Sequence, residues 1–312
     1  MQTDENAIFI DHSTLASFGA CHEKARLSFV EHLRPIQEIP ALSFGIAIHA
    51  GVAALRVTKD LNKSHEAFLD SLRKQNSTLP VDILSMEKRS VERGLTLLSA
   101  YEERWRSEVY EIIYGTEGRP FVEIKFRLYL FDWGGRPVIY CGIIDAIARS
   151  RVSGYTVIME TKTTGTGLSS FIKQTRPNNQ ITGYHKAAQE LLGVTAVETV
   201  WDAIFISDRK PSEKGDSWLR QGIDIEKDFA RTTTQRSETD IDEWMYDVML
   251  TTREYLRYKD DNITYPRWAR NAPGACHQYG GCMFRDICST NGNEAIINSK
   301  FKKEAWEPWR EE

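Results

Sequence analysis

Two runs of sequence decide the fold of this chain: VIYCGIIDAIA at residues 138–148 and YTVIMETKT at residues 155–163. Both runs are rich in β-branched and apolar residues, which favour extended strands. Between them lies the short polar segment Arg151-Val-Ser-Gly154, whose composition is typical of a turn. The two runs therefore predict a β-hairpin.

The predicted hairpin brings three charged side chains together. If its turn is centred between Val152 and Ser153, Asp145 lies directly opposite Glu160. Lys162 stands two residues beyond Glu160, so strand alternation places both on one face. Two acids and a lysine on an apolar hairpin are costly to bury without compensation. A divalent cation held by the carboxylates would compensate them, with the lysine reaching a phosphate or water beside the metal. The alternative is a solvated, salt-bridged edge of the hairpin.

Size and composition are those of an ordinary globular protein. The chain has 312 residues, 41% of them hydrophobic and 27% charged, which is enough to bury a full core. The formal net charge of −4 excludes a global basic field, so any affinity for phosphate must come from a local basic groove. The acidic start MQTDEN predicts no secretory signal. The apolar stretch from Ala41 to Leu55 is too short to span a bilayer and is interpreted as a buried helix. A cytoplasmic protein with no membrane segment is expected.

The rest of the pattern predicts an α/β fold in which a small, mixed central β-sheet is flanked by helices. Helices are predicted at residues 11–57, with Ser13 as N-cap, and at 64–114, 179–192 and 241–258, the third of them ended by Gly193. Further strands are predicted at residues 121–131 and 196–206. We expect one domain over residues 1–312, with a helical part at 1–115, an α/β core at 116–210 and a helical, cysteine-containing part at 211–312.

Three of the five cysteines are clustered towards the C-terminus. Cys276, Cys282 and Cys288 lie in the short segment ACHQYGGCMFRDIC. In a chain expected to be in a reducing compartment, such a cluster indicates a metal site more than disulfides. The fourth ligand is either His277, which would give a zinc site with three cysteines and one histidine, or Cys21.

The hairpin and the cysteines together resemble one known family. An acid on one strand followed by Glu-x-Lys on the next resembles the PD-(D/E)XK nuclease superfamily. One cysteine before the core and three after it resemble the RecB and AddB type, which includes CRISPR-adaptation and phage-encoded nucleases. Gly45-Ile-Ala-Ile-His49 is similar to that family's Gly-x3-His element, and Gln180-Ile-Thr-Gly-Tyr184 to its Gln-x3-Tyr element. Glu123 is either the upstream acid that some members carry or a strand-surface glutamate paired with a base.

The resemblance implies a restriction-endonuclease-like core and a DNA exonuclease that trims single-stranded ends, with endonuclease activity as a further option. It implies Mg²⁺ or Mn²⁺ held by His49, Asp145, Glu160 and the main-chain carbonyl of Thr161. It implies a 4Fe-4S cluster on Cys21, Cys276, Cys282 and Cys288 that joins the N- and C-terminal segments. Lys162 would orient the attacking water or stabilise the developing negative charge, and Gln180 and Tyr184 would position the strand. Lys173 and Arg176, on the loop before that helix, are candidate phosphate contacts.

Two functions of other classes stay open. One is a non-catalytic iron–sulfur scaffold that binds DNA within a helicase–nuclease or integration complex, and the other is a zinc-stabilised interaction module. The complete set of Asp145, Glu160, Lys162 and His49 favours the enzyme, because a scaffold needs none of these side chains. The implied partners are DNA and a helicase, recombination or integration protein, with DNA repair among the roles.

Overall fold

The structure, a computed structural model, describes residues 6–37, 40–75, 89–165, 167–261, 267–277 and 281–307. Its helices are α1 (His12–Ala20), α2 (His22–Ala25), α3 (Pro40–Thr58), α4 (Leu61–Gln75), α5 (Val91–Arg104), α6 (Leu168–Ile172), α7 (Asn179–Leu192), α8 (Glu238–Asp260), α9 (Ala272–Ala275), α10 (Arg285–Ser289) and α11 (Glu294–Lys300). Its strands are β1 (Ile8–Asp11), β2 (Leu33–Pro35), β3 (Tyr110–Ile112), β4 (Val122–Trp133), β5 (Arg136–Ser150), β6 (Thr156–Thr164), β7 (Glu198–Phe205), β8 (Phe229–Gln235) and β9 (Phe301–Lys303).

The chain forms two compact units. Unit 1 contains Met1–Gln37, Lys125–Ile143 and Glu238–Glu312, and unit 2 contains Glu38–Ile124 and Ile144–Ser237. Strands β4 and β5 each run from one unit into the other along the chain. A single nuclease domain over residues 1–312 stays a prediction.

The predicted hairpin is confirmed and forms the centre of unit 2. Strands β5 and β6 pair antiparallel with Ala146 opposite Met159 and Ala148 opposite Val157. Continued by one residue, this register puts Asp145 opposite Glu160, as the predicted turn requires. The β-branched residues of both runs lie in the ladder, and the polar segment after Ser150 forms the turn.

The sheet of unit 2 is mixed, as the sequence predicts. Strand β7 pairs parallel to β6, β8 pairs antiparallel to β7, and β3 pairs antiparallel to the end of β5. A parallel neighbour requires a crossover, which α6 and α7 provide. Helix α7 begins at the N-cap Asn178, whose side chain accepts from the Ile181 amide, and ends at Gly193 with φ 63°. Its predicted bounds are therefore confirmed.

Helices cover both faces of this sheet. Gly45 of α3 lies against Thr163 of β6, because an added Cβ there would meet the threonine hydroxyl at 2.9 Å. On β7, Thr199 bonds to His185 of α7 at 2.8 Å. Thr199 is paired with Ile158 of β6, so these two side chains lie on the same face of the sheet. Ile158 and Thr163 are five residues apart, an odd number, so Thr163 and Thr199 lie on opposite faces. The core therefore has an α/β/α arrangement in unit 2.

Helix α3 is a core helix of unit 2. It has 19 residues and a mean hydropathy of 1.5, and it is the one described helix long and apolar enough to span a membrane by length and composition. Its buried residues, among them Phe44 and Ile48, share an apolar core with α4 and α5. Phe44 meets Phe68 of α4 edge to face at 5.8 Å. The expected buried helix is thus confirmed, although it is longer than the predicted stretch.

Two predicted helical blocks are partly wrong. Residues 11–57 contain strand β2 between two helical segments, and the first helix is capped by Asp11, not by Ser13. The block at 64–114 contains α4 and α5, but β3 follows from Tyr110. In each case the strand pairs with a partner far along the chain, Leu33 with Lys303 and Tyr110 with Ser150. Local periodicity does not contain that information.

Unit 1 joins the two ends of the chain. Strand β1 pairs parallel to the first half of β5, and β2 pairs antiparallel to β9. Phe18 of α1 packs edge to face on Tyr255 of α8 at 5.5 Å. Near the C-terminus, Trp306 donates from Nε1 to Asp11 Oδ2 at 2.6 Å, so this tryptophan packs on the first helix cap.

Candidate active site

The hairpin places Asp145 at the centre of a group of ionisable side chains in unit 2. Asp145 Oδ2 accepts a hydrogen bond from the main-chain N–H of Thr161 at 2.8 Å. This bond ties the carboxylate of β5 to the next strand and fixes its orientation. Because the amide of Thr161 is used in this bond, the carbonyl is the main-chain group of Thr161 that is predicted to bind a metal.

Glu160 is the most deeply buried of these acids, with 1% of its surface exposed. Its Oε1 lies 2.5 Å from Lys162 Nζ, whereas its Oε2 is buried and has no hydrogen-bond partner among the described residues. Desolvation and then the charge of Asp145 raise the pKa of Glu160 to about 7, against the lowering effect of Lys162. Burial of a half-paired carboxylate is unfavourable unless a further cation or donor reaches it.

Glu123 adds a third carboxylate from β4. Its side chain is exposed, but desolvation by the surrounding protein and the charges of Asp145 and Glu160 raise its pKa to about 8. Its backbone has φ 52°, a strained conformation for a residue with a side chain. The local sequence does not distinguish a site acid from a strand-surface glutamate at Glu123. In the structure the charges of the two hairpin acids, Asp145 and Glu160, act on it.

His49 reaches this group from helix α3. Its Nδ1 lies 3.6 Å from Asp145 Oδ2, and Gly45, one turn earlier, permits the close approach of the helix to β6. Desolvation lowers the pKa of His49 despite the nearby Asp145. The imidazole is therefore neutral at pH 7, which is the form that binds metals.

Lys162, Gln180 and Tyr184 form a hydrogen-bonded chain. Lys162 Nζ donates to Gln180 Oε1 at 3.1 Å, and Gln180 Nε2 donates to the hydroxyl of Tyr184 at 2.8 Å. Gln180 and Tyr184 stand four residues apart on α7, so both side chains lie on one helix face. Glu160 and Asp145 raise the pKa of Lys162 against its desolvation, so the amine is protonated and charged.

A second buried network in unit 2 was not predicted from the sequence. Asp202 of β7 has no exposed surface, and its Oδ2 accepts from Arg56 at 3.0 Å, from Arg231 at 3.1 Å and from the hydroxyl of Tyr101. Although desolvation acts in the opposite direction, the two arginines lower the pKa of Asp202. An acid in the middle of the apolar run VWDAIF and a lone arginine in α3 are the signals that could have indicated it.

The two candidate phosphate contacts lie on the segment between α6 and α7. Lys173 follows α6 and Arg176 precedes Pro177, and both side chains are exposed. Their role in binding phosphate stays a prediction.

The four predicted cluster cysteines are all in unit 1, and none forms a disulfide. Cys21 is buried at the end of α1, and the Cys282 amide donates to the Cys276 carbonyl at 3.0 Å. Desolvation and the charges of Cys21 and Cys276 raise the pKa of Cys282. The pKa of Cys288 is raised by desolvation and, among other charges, those of Cys282 and Cys21. The four thiols are therefore electrostatic neighbours, whereas His277 is exposed.

The carboxylates around Asp145 and the four cysteines of unit 1 both have donor atoms that suit a metal site. Among the described residues, no three His, Cys, Asp or Glu side chains converge closely enough to hold one ion in this structure. The carboxylates nevertheless provide hard oxygen donors, one of them buried without a partner, as Mg²⁺ or Mn²⁺ prefers. A 4Fe-4S cluster takes four thiolates, each bound to a different iron, so it does not need them to meet at one point.

The sequence matches the model of the PD-(D/E)XK nuclease superfamily over residues 11–289. The chain belongs to this superfamily. The match includes Asp145, Glu160 and Lys162 as well as the four cysteines of unit 1. A comparison with curated proteins found no match.

Two solved structures of exonucleases show a distant likeness to this nuclease-family chain. One, from Eubacterium rectale, carries a provisional description as an exonuclease; it is 11% identical, with a TM-score of 0.49 over 93% of this chain and 95% of that one. The other is an alkaline exonuclease from Laribacter hongkongensis, 13% identical, with a TM-score of 0.27 over 72% of this chain and 98% of that one. At these scores neither likeness carries an argument about this chain, and the family rests on the sequence match.

Proposed function

We propose that this protein is a metal-dependent DNA exonuclease that acts on single-stranded ends. The observation that supports it most directly is the buried Glu160, whose Oε2 has no partner among the described residues although two further carboxyl groups, Asp145 and Glu123, interact with it electrostatically. Excess carboxylate with raised pKa values is typical of a site that takes up a cation.

The proposed metal ligands are Asp145, Glu160, His49 and the main-chain carbonyl of Thr161. Mg²⁺ or Mn²⁺ bound there would supply Lewis-acid activation of the phosphate and of a water molecule. Asp145 is oriented for this role by the Thr161 amide, and His49 is neutral and can donate a lone pair.

Lys162 supplies the fixed positive charge of the mechanism. Its protonated amine, held between Glu160 and Gln180, stabilises negative charge that develops on the phosphate. Tyr184 orients the Gln180 amide through their hydrogen bond, and the Gln180 oxygen in turn orients the amine of Lys162. Lys173 and Arg176 extend the phosphate-binding path along the loop before α7.

The four cysteines of unit 1 are proposed to hold a 4Fe-4S cluster, as in the RecB and AddB type. Their mutual electrostatic influence and their free thiols support this assignment. The cluster's role would be structural, because it ties α1 to the C-terminal segment across some 250 residues and so removes conformational freedom from the unfolded chain. A helicase, recombination or integration partner and a cytoplasmic location stay predictions.

The test of the nuclease compares wild type with Lys162→Ala, purified without oxygen, on end-labelled single- and double-stranded DNA with Mg²⁺ or Mn²⁺. Shortening by wild type alone is expected, with faster loss of the single strand. Lys186→Ala is the control, since Lys186 pairs with Glu190 on the same helix at 2.5 Å. Binding without cleavage by wild type in either metal would favour the scaffold over the enzyme.

The test of the cluster is visible absorbance and iron content. Cys282→Ala should give colourless, less stable protein, whereas Cys141→Ala should keep its iron, because Cys141 is a buried thiol bonded to the Ile10 carbonyl on β1. Zinc in place of iron in the wild-type protein would support the interaction module instead.

A further inference from the structure

An exposed apolar stripe runs along helix α3 to the carboxylate site. Leu42 and Ile46 are 61% and 47% exposed. They stand four residues apart, so they lie on one face of the helix. His49 follows three residues after Ile46 and lies on the same face. Leu42 and Ile46, here called the α3 stripe, therefore lie on the same helix face as the ring of His49, whose Nδ1 is 3.6 Å from Asp145 Oδ2.

The α3 stripe lies on a part of the helix that has no charged side chain. Every residue from Pro40 to Leu55 is uncharged, and the first charge, on Arg56, is taken by Asp202. DNA phosphates bind chiefly to cations and to polar donors, which the side chains of Leu42 and Ile46 do not provide. Apolar side chains such as leucine and isoleucine instead contact nucleobases that have been unstacked from their neighbours. The chemistry of the stripe thus matches the bases of a substrate strand and not its backbone.

We propose that the α3 stripe holds the unpaired bases of the strand being cut. This inference rests on the proposed function and specifies its substrate class, because only an unstacked strand presents several base faces. At about 1.5 Å per residue, Leu42 lies about 10 Å along the helix from His49. Stacked nucleotides are ~3.4 Å apart and unstacked ones are farther apart, so at most about three nucleotides span this distance. The bases concerned therefore lie within about three nucleotides of the scissile phosphate.

The experiment combines truncation of the stripe with removal of the base. Leu42→Ala and Ile46→Ala would be assayed on single-stranded oligonucleotides that are intact, abasic at the second nucleotide from the cut end, or abasic at the tenth. Each variant should raise KM on the intact strand on the order of fivefold to tenfold. The abasic residue at the second position should raise the KM of wild type by a similar factor. It should raise the KM of the variants little further, because both changes remove the same contact. At the tenth position it should change nothing.

Val152→Ala is the matched control. Val152 is 81% exposed in the hairpin turn after β5, and the five residues of β5 between Asp145 and Ser150 place the turn about 17 Å from the site. The Val152→Ala variant should cleave intact DNA like wild type. Its KM should rise as much as that of wild type when the second nucleotide is abasic. Stripe variants that behave like Val152→Ala, or whose effects add to that of the abasic residue, would overturn the inference.

A small phosphodiester separates this inference from the proposed function. The p-nitrophenyl ester of thymidine 5′-monophosphate requires the metal site but offers at most one base. The stripe variants should lose more on the oligonucleotide than on the ester. If wild type hydrolyses neither substrate with Mg²⁺ or Mn²⁺, the proposed function fails and the inference fails with it. If wild type hydrolyses both and the variants lose equally on both, the inference alone fails.

Discussion

Two buried carboxylates of unit 2, on neighbouring strands, have opposite electrostatic surroundings. Glu160 of β6 and Asp202 of β7 are almost or entirely inaccessible, with 1% and 0% of their surface exposed. The parallel register places Asp202 beside Thr161, the residue that follows Glu160. Yet the pKa of Glu160 is raised to about 7, whereas that of Asp202 is lowered. Burial alone therefore does not distinguish a functional acid from a structural one.

The difference lies in the counter-charges. Each acid has one buried oxygen without a hydrogen-bond partner among the described residues, Glu160 Oε2 and Asp202 Oδ1. Asp202, however, has two arginines and a tyrosine hydroxyl on its other oxygen, so its charge is compensated within the protein. Glu160 has one lysine and, as neighbours, further acids. An acid whose compensation is complete stabilises the fold, and one whose compensation is incomplete is available to bind a cation. Four predictions test this comparison.

The largest effect is expected for Asp202→Ala. Its removal leaves Arg56 buried without its counter-charge and leaves Arg231 with Glu108 as its remaining partner, which should lower the free energy of unfolding by about 3–5 kcal/mol. Denaturant titration measures it. The control is Asp70→Ala, which removes an exposed ion pair to Arg73 and should cost less than about 1 kcal/mol. Equal losses in the two variants would show that the Asp202 network is not a structural one.

Glu160→Gln should have the reverse profile. Cleavage should fall by about 10²- to 10³-fold, because a proposed metal ligand is lost. The metal-free protein should be no less stable at pH 8. The pKa of Glu160 is raised on folding, so its ionised form, which dominates above pH 7, opposes folding, and glutamine removes that penalty. Glu190→Gln, at an exposed position of α7, is the control for activity. A stability loss as large as that of Asp202→Ala would remove the distinction between the two acids.

A pair of hydroxyl deletions sharpens the same contrast. Tyr101→Phe removes a hydrogen bond to the charged Asp202 and should cost about 1.5–3 kcal/mol of stability with no change in cleavage. Tyr184→Phe removes the hydrogen bond from Gln180 and should slow cleavage several-fold with a stability loss under about 1.5 kcal/mol. Thermal melts and single-turnover rates on both variants decide the matter. The opposite assignment of the two losses would contradict it.

The smallest effect concerns pH. Because the pKa of Glu160 is raised to about 7, a proton must leave before a cation binds, and Mg²⁺ affinity should fall about tenfold per pH unit below pH 7 and level off above it. Calorimetric titration at several pH values, in buffers of different ionisation enthalpy, counts the protons released. Glu160→Gln should bind weakly at every pH. An affinity of the wild type that does not change between pH 6 and pH 8 would be inconsistent with a raised pKa.

The sequence by itself determined the hairpin and the order of its charged residues. Alternation of apolar residues and a polar turn are local signals, so the register that sets Asp145 opposite Glu160 followed from counting. Helix α7 was equally local, because its N-cap and its final glycine lie next to it in the chain. The four cysteines and the family motifs could also be named in order, although the metals they would bind stay proposals.

Only the tertiary structure decided which charges belong together. Arg56 and Asp202 are 146 residues apart, and strands β1, β2 and β9 exist because each pairs with a distant segment. His49 approaches Asp145 because Gly45 lets α3 pack closely on Thr163. Such contacts depend on the packing of elements that are remote in sequence, and local patterns contain no information about them. For that reason the residues of the site could be identified from the sequence, while the folded chain determined which of its acids have an incomplete counter-charge.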